Sequence, residues 1–91
     1  MATKVELGNR IRKIRMSRGL QQGDLAEKLG VSRSAVSMWE KGHNEPPLEM
    51  IKKIARALDV SPDRILYSSE EIRSRLDPTI LELLDGDVDA L

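Results

Sequence analysis

The sequence predicts an all-α fold: a compact bundle of five short helices, followed by a C-terminal tail that can also form helix. Three observations predict it. Apolar residues recur at helical spacing, as at Leu7, Ile11 and Ile14. Helix-ending residues close those stripes, at Gly19, Gly30, Gly42 and Pro46-Pro47. No segment alternates apolar and polar residues as a half-buried strand does.

Each element has its own signal. The first helix is expected from about Val5 to Arg18, stopped by Gly19 as the residue after the C-cap. Leu25, Ala26 and Leu29 mark a second, short helix from about Gln22 to Leu29, ended by Gly30. Ser32 is an N-cap candidate, because its hydroxyl can accept a free backbone N–H. It opens a third helix from Arg33 to Lys41, with Val36 and Trp39 facing inward and Gly42 at its end. His43 to Pro47 is a loop, since paired prolines break helix. Leu48, Ile51, Ile54, Ala55 and Leu58 mark a fourth helix. Ser61-Pro62 is an N-cap with proline at the first helical position, opening a fifth helix that contains Ile65 and Leu66. In the tail, Ser68-Ser69-Glu70-Glu71 fits a capping box, and Asp77-Pro78 can start a further turn.

Composition narrows the function classes. Ninety-one residues make one domain, or a small domain plus an arm. There is no Cys and a single His, His43, so disulfides, thiolate metal sites and multi-histidine metal sites are excluded. No cofactor is predicted. Phe is absent, which leaves an aliphatic core with Trp39 as its only large aromatic candidate. No apolar run exceeds three residues, whereas a membrane span needs about 20. The first residues carry no apolar signal-peptide core. A soluble, intracellular protein is therefore expected. An enzyme is the least favoured class, because no nucleophile–base set or phosphate loop accompanies the carboxylates.

The formal net charge is zero, from 15 Lys+Arg and 15 Asp+Glu. The balance hides a division. Residues 1–67 hold 13 Lys+Arg against 8 Asp+Glu, a net of +5, and residues 68–91 hold 2 against 7, a net of −5. We therefore divide the chain into a basic body, 1–67, and an acidic tail, 68–91, suited to oligomerisation or partner binding. Arg10, Arg12, Lys13, Arg15 and Arg18 form a run with no acid inside it, which by itself also describes a solvated helix face.

The informative stretch is Gln22 to Lys41. Ala26 is small enough for two helices to cross closely. Gly30, four residues on, suits a sharp turn at positive φ. Val36 and Trp39 then anchor the next helix. A helix-turn-helix needs this combination at this spacing.

These residues carry a family resemblance. The sequence resembles the helix-turn-helix domain of the Cro/phage-repressor type, also called the XRE family, whose fold is lambda-repressor-like. The matching stretches are Leu7 to Arg12, Gly19 to Gln22, Asp24 to Ser32, Arg33 to Gly42 and Ile54 to Ser61. The resemblance covers about residues 5 to 67 and not the acidic tail. It departs at Gln21, where the family commonly has Ser or Thr, and at Pro47, where Ser often caps the fourth helix. Both departures imply weaker capping.

The resemblance implies that the third helix enters the DNA major groove with the second helix across the backbone. With Val36 and Trp39 inward, Arg33, Ser34, Ser37 and Lys41 share the opposite face. The expected base-contacting residues are Ser32, Arg33, Ser34, Ser37 and Met38. Arg33 can reach guanine O6 and N7, worth roughly 1–3 kcal/mol of discrimination; its other reading is a solvated arginine. Met38 either meets a thymine methyl or packs at the helix edge. The expected phosphate contacts are Arg10, Gln22, Lys41, Gly42, His43 and Asn44, with His43 a loop residue or donor and not a catalyst. Gln22 matches a family glutamine that touches phosphate and steadies recognition side chains. Arg15 and Glu40 match a family pair that links the first helix to the end of the third. Arg12, Lys13 and Arg18 are expected only to be solvated.

The leading functional expectation is a sequence-specific transcriptional regulator, a repressor, reading a palindromic operator in double-stranded DNA as a homodimer. The resemblance implies a cytoplasmic protein, bacterial or phage-encoded. Ile65, Leu66, Tyr67, Ile72, Leu76, Ile80 and Leu84 are the candidate dimer contacts; packing of the tail residues on their own body is the alternative. A second expectation is an antitoxin, with the same DNA-binding domain and a tail that binds a toxin protein. A third is a protein-interaction module that has lost DNA binding.

Overall fold

The computed structural model describes residues 3–74, which form six helices and, among these residues, no strand. They are α1 (Lys4–Ser17), α2 (Gln22–Leu29), α3 (Arg33–Lys41), α4 (Leu48–Leu58), α5 (Pro62–Leu66) and α6 (Ser69–Ser74).

Local chemistry sets most boundaries. Helix α1 begins one residue earlier than the apolar stripe implies, because Thr3 and Glu6 form a capping box. It ends with Gly19 at φ 73°. Gly30 and Gly42 close α2 and α3 in the same left-handed conformation. Ser32 Oγ accepts the Ala35 N–H at 3.1 Å, and Ser61 Oγ accepts the Asp63 N–H at 3.3 Å. Helix α4 has Pro47 as its N-cap residue and no side-chain cap. At the start of α2 the Gln21 N–H is instead taken by the Asp24 carboxylate at 2.8 Å. One end was not foreseen: α4 closes on Asp59 at φ 58°, a left-handed residue that is not glycine. Aspartate tolerates this conformation better than most residues.

The core draws on the first five helices. Leu7, Ile11 and Ile14 of α1 meet Leu25 and Ala26 of α2, Val36 and Trp39 of α3, Ile51, Ile54, Ala55 and Leu58 of α4, and Ile65 of α5. Trp39 is 8% exposed and is the core's only aromatic. Leu48 belongs to the α4 stripe by spacing yet is exposed, because it occupies the first helical position, beyond the packed end.

Two close approaches fix where α3 lies. A Cβ on Gly8 would stand 2.2 Å from the Trp39 carbonyl oxygen and 2.8 Å from that of Glu40. Only a glycine lets α1 cross α3 at this distance. At the other end of the contact, a Cβ on Gly42 would stand 2.8 Å from the Val5 side chain. Arg18 also departs from expectation. It is not merely solvated: Nε donates to the Leu58 carbonyl at 2.9 Å and Nη2 to that of Asp59 at 3.2 Å. A cation at the C-terminus of α4 satisfies carbonyls that have no partner within the helix.

Candidate nucleic-acid interface

Helix α3 divides cleanly around its axis. Val36, Trp39 and Glu40 are buried, while Ser34, Met38 and Lys41 are exposed and Ser37 is half-buried. Arg33 is exposed at the first turn. Ser32 stands exposed at the N-cap, where its oxygen accepts from Ala35 and its hydroxyl proton remains a donor. The outer face thus gathers two cations, three hydroxyls and one thioether on about two turns.

The only acid of α3 is turned away from that face. Glu40 is 6% exposed and lies against Arg15 of α1, itself 8% exposed. Arg15 Nε donates to Glu40 Oε2 at 2.6 Å, and Arg15 Nη2 donates to Oε1 at 2.9 Å. Arg15 Nη1 donates to the Leu20 carbonyl at 2.7 Å, at the entry to α2. Gln22 Nε2 completes the group by donating to Glu40 Oε1 at 3.1 Å. One carboxylate therefore joins α1, the start of α2 and the end of α3. A planar guanidinium and a carboxylate in bidentate contact fix orientation as well as distance. Electrostatically, the pair removes a negative charge from α3 and leaves Arg33 and Lys41 to set the sign of its outer surface.

The loop after α3 reads differently from the expectation. The N–H groups of Gly42 and His43 were candidate phosphate donors. They are taken: Gly42 N–H donates to the Trp39 carbonyl at 3.1 Å and His43 N–H to that of Met38 at 3.0 Å. A helix ending on a left-handed glycine uses these donors to satisfy its own last carbonyls. The side chains of Lys41, His43 and Asn44 remain exposed.

The remaining predicted residues lie elsewhere. Arg10 does not stand free for phosphate. Its Nη1 donates to the Ile65 carbonyl at 3.0 Å, and its Nη2 lies 3.7 Å from both Glu6 and Glu71. Ile65 is wholly buried against the rest of the core. Leu66, Tyr67 and Ile72 are half-buried. Tyr67 and Ile72 line a cleft of about 270 Å³ with Arg10, Lys13 and Arg64. Leu76, Ile80 and Leu84 lie outside the described residues. The α6 capping box is formed: the Ser68 N–H donates to Glu71 Oε1 at 3.1 Å and Glu71 N–H to Ser68 Oγ at 3.0 Å. The hydrogen bonds from Ser68, backbone first and then hydroxyl, hold the Glu71 carboxyl below the usual carboxylate range.

Sequence reasoning missed Gly8 and Arg18 as positioning residues. Gly8 carried a signal: a glycine inside a strongly periodic helix marks a close approach. Arg18 carried none, since its carbonyl partners lie 40 and 41 residues away. Among the described residues no helix is long and apolar enough to cross a membrane.

Comparison with known proteins adds the relatives. A family profile described as helix-turn-helix matches residues 11–65. The HTH-type transcriptional activator BcrR of Enterococcus faecalis is 38% identical over 68 residues, which are 75% of this chain and 33% of that protein. The HTH-type transcriptional regulator DicA of Escherichia coli is 34% identical over 94 positions, covering 93% of this chain and 70% of that protein. Among solved structures, the DNA-binding domain of the P22 C2 repressor superposes with a TM-score of 0.67 at 37% identity, over 75% of this chain and 88% of that one. The chain therefore spans about a third of BcrR and most of DicA.

Proposed function

The chain belongs to the helix-turn-helix family of the Cro/phage-repressor type, and from that premise we propose that it is a sequence-specific DNA-binding transcriptional regulator. In this reading α3 lies in the major groove, which admits one helix, and α2 crosses the backbone. Arg33, Ser34 and Ser37 read base edges, with Ser32 and Met38 at the margins. Lys41, His43 and Asn44 meet phosphate through their side chains. Gln22 works chiefly through Glu40, holding α2 and α3 in register. Arg10 is left out of the phosphate set because its guanidinium is engaged within the protein. One observation carries the reading: the outer face of α3 holds Arg33 and Lys41 with short hydroxyls between them, and its only carboxylate is buried on Arg15.

One such module makes few base contacts, so the protein acts as a homodimer on two half-sites about one helical turn apart. In this reading Leu66, Tyr67 and Ile72 contribute to the contact with the second copy, and their half-buried side chains support that assignment. Repression follows from occupancy of the site alone and needs no further surface.

Titration of a random-sequence duplex across salt concentrations tests the placement of α3. Each phosphate contact contributes about 0.9 to the slope of log affinity against log salt. Lys41→Ala lowers that slope by about one contact, whereas Lys13→Ala on α1 leaves it unchanged. Equal losses for the two variants would show that α3 is not the face that meets DNA.

A further inference from the structure

A second basic surface lies apart from the outer face of α3. A groove of about 440 Å³ between α2 and α4 is lined by Lys28, Leu29, Lys53, Arg56 and Ala57. Leu29 and Ala57 are half-buried and form its floor, while the three cations are exposed at its rim. None of the three is hydrogen-bonded or ion-paired to a described residue, and no carboxylate lines the groove. Nearby cations are treated otherwise. Lys52 is paired with Glu49 at 3.3 Å, and in the cleft beside α6 the Arg10 guanidinium is already flanked by two carboxylates. Three like charges gathered without a counter-charge repel one another, and an acidic occupant would relieve that repulsion.

The sequence contains a segment of complementary chemistry. From Asp77 to Asp89 it carries five Asp/Glu and no Lys or Arg, with aliphatic residues between Ile80 and Leu84. We propose that residues 77–89 of the same chain occupy the α2–α4 groove, with their carboxylates on Lys28, Lys53 and Arg56 and an aliphatic side chain over Leu29 and Ala57. The apolar floor favours a peptide segment over a nucleic-acid backbone, which would bring phosphates but nothing to cover Leu29. Reach is sufficient. The 15 residues from Ser74 to Asp89 extend up to about 50 Å, and a body of this size is roughly 30 Å across. Tethering gives the segment a high effective concentration at the groove. The occupied groove leaves the outer face of α3 open, so the chain's overall neutrality does not require the tail to cover Arg33 or Lys41.

The absence of cysteine makes the test direct. A spin label on Ala90→Cys in the full chain is expected to remove more than half of the amide intensity at Lys28, Leu29, Lys53, Arg56 and Ala57. Lys53→Glu with Arg56→Glu is expected to restore it. So is salt of about 1 M, which shortens the screening length to about 3 Å. Broadening centred on residues 33–41, broadening along the α1–α6 cleft, or no broadening on the body at all would overturn the proposal. So would attenuation of equal size when labelled and isotope-enriched chains are mixed, because it would place the segment on a second copy.

Discussion

Replacing Glu40 by alanine tests the framework that orients α3. Glu40 holds both Arg15 donors at 2.6 and 2.9 Å and accepts the Gln22 amide at 3.1 Å. With the carboxylate gone, a guanidinium that is 8% exposed keeps only the Leu20 carbonyl. Removing one partner of a buried ion pair costs about 3–5 kcal/mol, because the remaining charge is stranded away from water. Small domains have about 5–15 kcal/mol in all, so Glu40→Ala removes roughly a fifth or more of the total. At about 4–8 °C per kcal/mol, the melting midpoint falls by at least about 12 °C. Urea denaturation followed by Trp39 fluorescence and far-UV circular dichroism gives the free energy directly. The double variant Arg15→Met, Glu40→Met is the decisive companion. It removes both charges at similar volume, and the expected residual loss is about 1–3 kcal/mol, from the Leu20 carbonyl and the Gln22 amide losing partners. A loss below about 1 kcal/mol for Glu40→Ala would give the pair the weight of a surface salt bridge. If the losses of Arg15→Met and Glu40→Met measured singly add up to that of the double variant, the two residues are not coupled. Either result refutes the argument.

Other expected outcomes follow from the same geometry. Gly8→Ala places a methyl 2.2 Å from the Trp39 carbonyl oxygen and costs about 1–3 kcal/mol or more by forcing α1 from α3. Gly23→Ala, with open space around it, stabilises α2 by roughly 0.4–1 kcal/mol; the same denaturation curves check both. Arg33→Ala lowers affinity for a selected site by about 1–3 kcal/mol and relaxes preference at one base pair. An equal loss on random duplex would make Arg33 a phosphate contact only. The folded Glu71 carboxyl titrates below its unfolded value, so its contribution to α6 is present above the unfolded pKa and is lost as pH falls through the folded one. Amide shifts of Ser68 and Glu71 followed through an acid titration report that loss, and Glu71→Gln abolishes its pH dependence.

Much of the fold was legible because short helices announce their ends. Gly19, Gly30 and Gly42 are each left-handed in the structure, and Ser32 and Ser61 cap as their positions imply. The apolar stripes named the core, with Leu48 excepted because it overhangs the packed end of α4. What was not legible depends on distance in space. Arg10 and Arg18 belong to one basic run, yet apart from Glu6 on the same helix their partners come from α5, α6 and the C-terminal end of α4. Local pattern cannot tell an arginine that closes a tertiary contact from one that waits for a phosphate. The donors at Gly42 and His43 illustrate the same limit: a glycine that permits a phosphate-binding turn also permits a helix to satisfy its own end. Burial of Ile65 was not legible either, because a five-residue helix gives too few positions to define its inner face.

If the outer face of α3 reads bases as one half of a two-fold assembly, selection of bound sites from a random DNA pool enriches a palindrome. Its half-site centres are expected about 10–10.5 base pairs apart, with specificity at one position lost in Arg33→Ala. Recovery of unenriched sequence, or of a single unpaired motif that Arg33→Ala leaves unchanged, would contradict that reading.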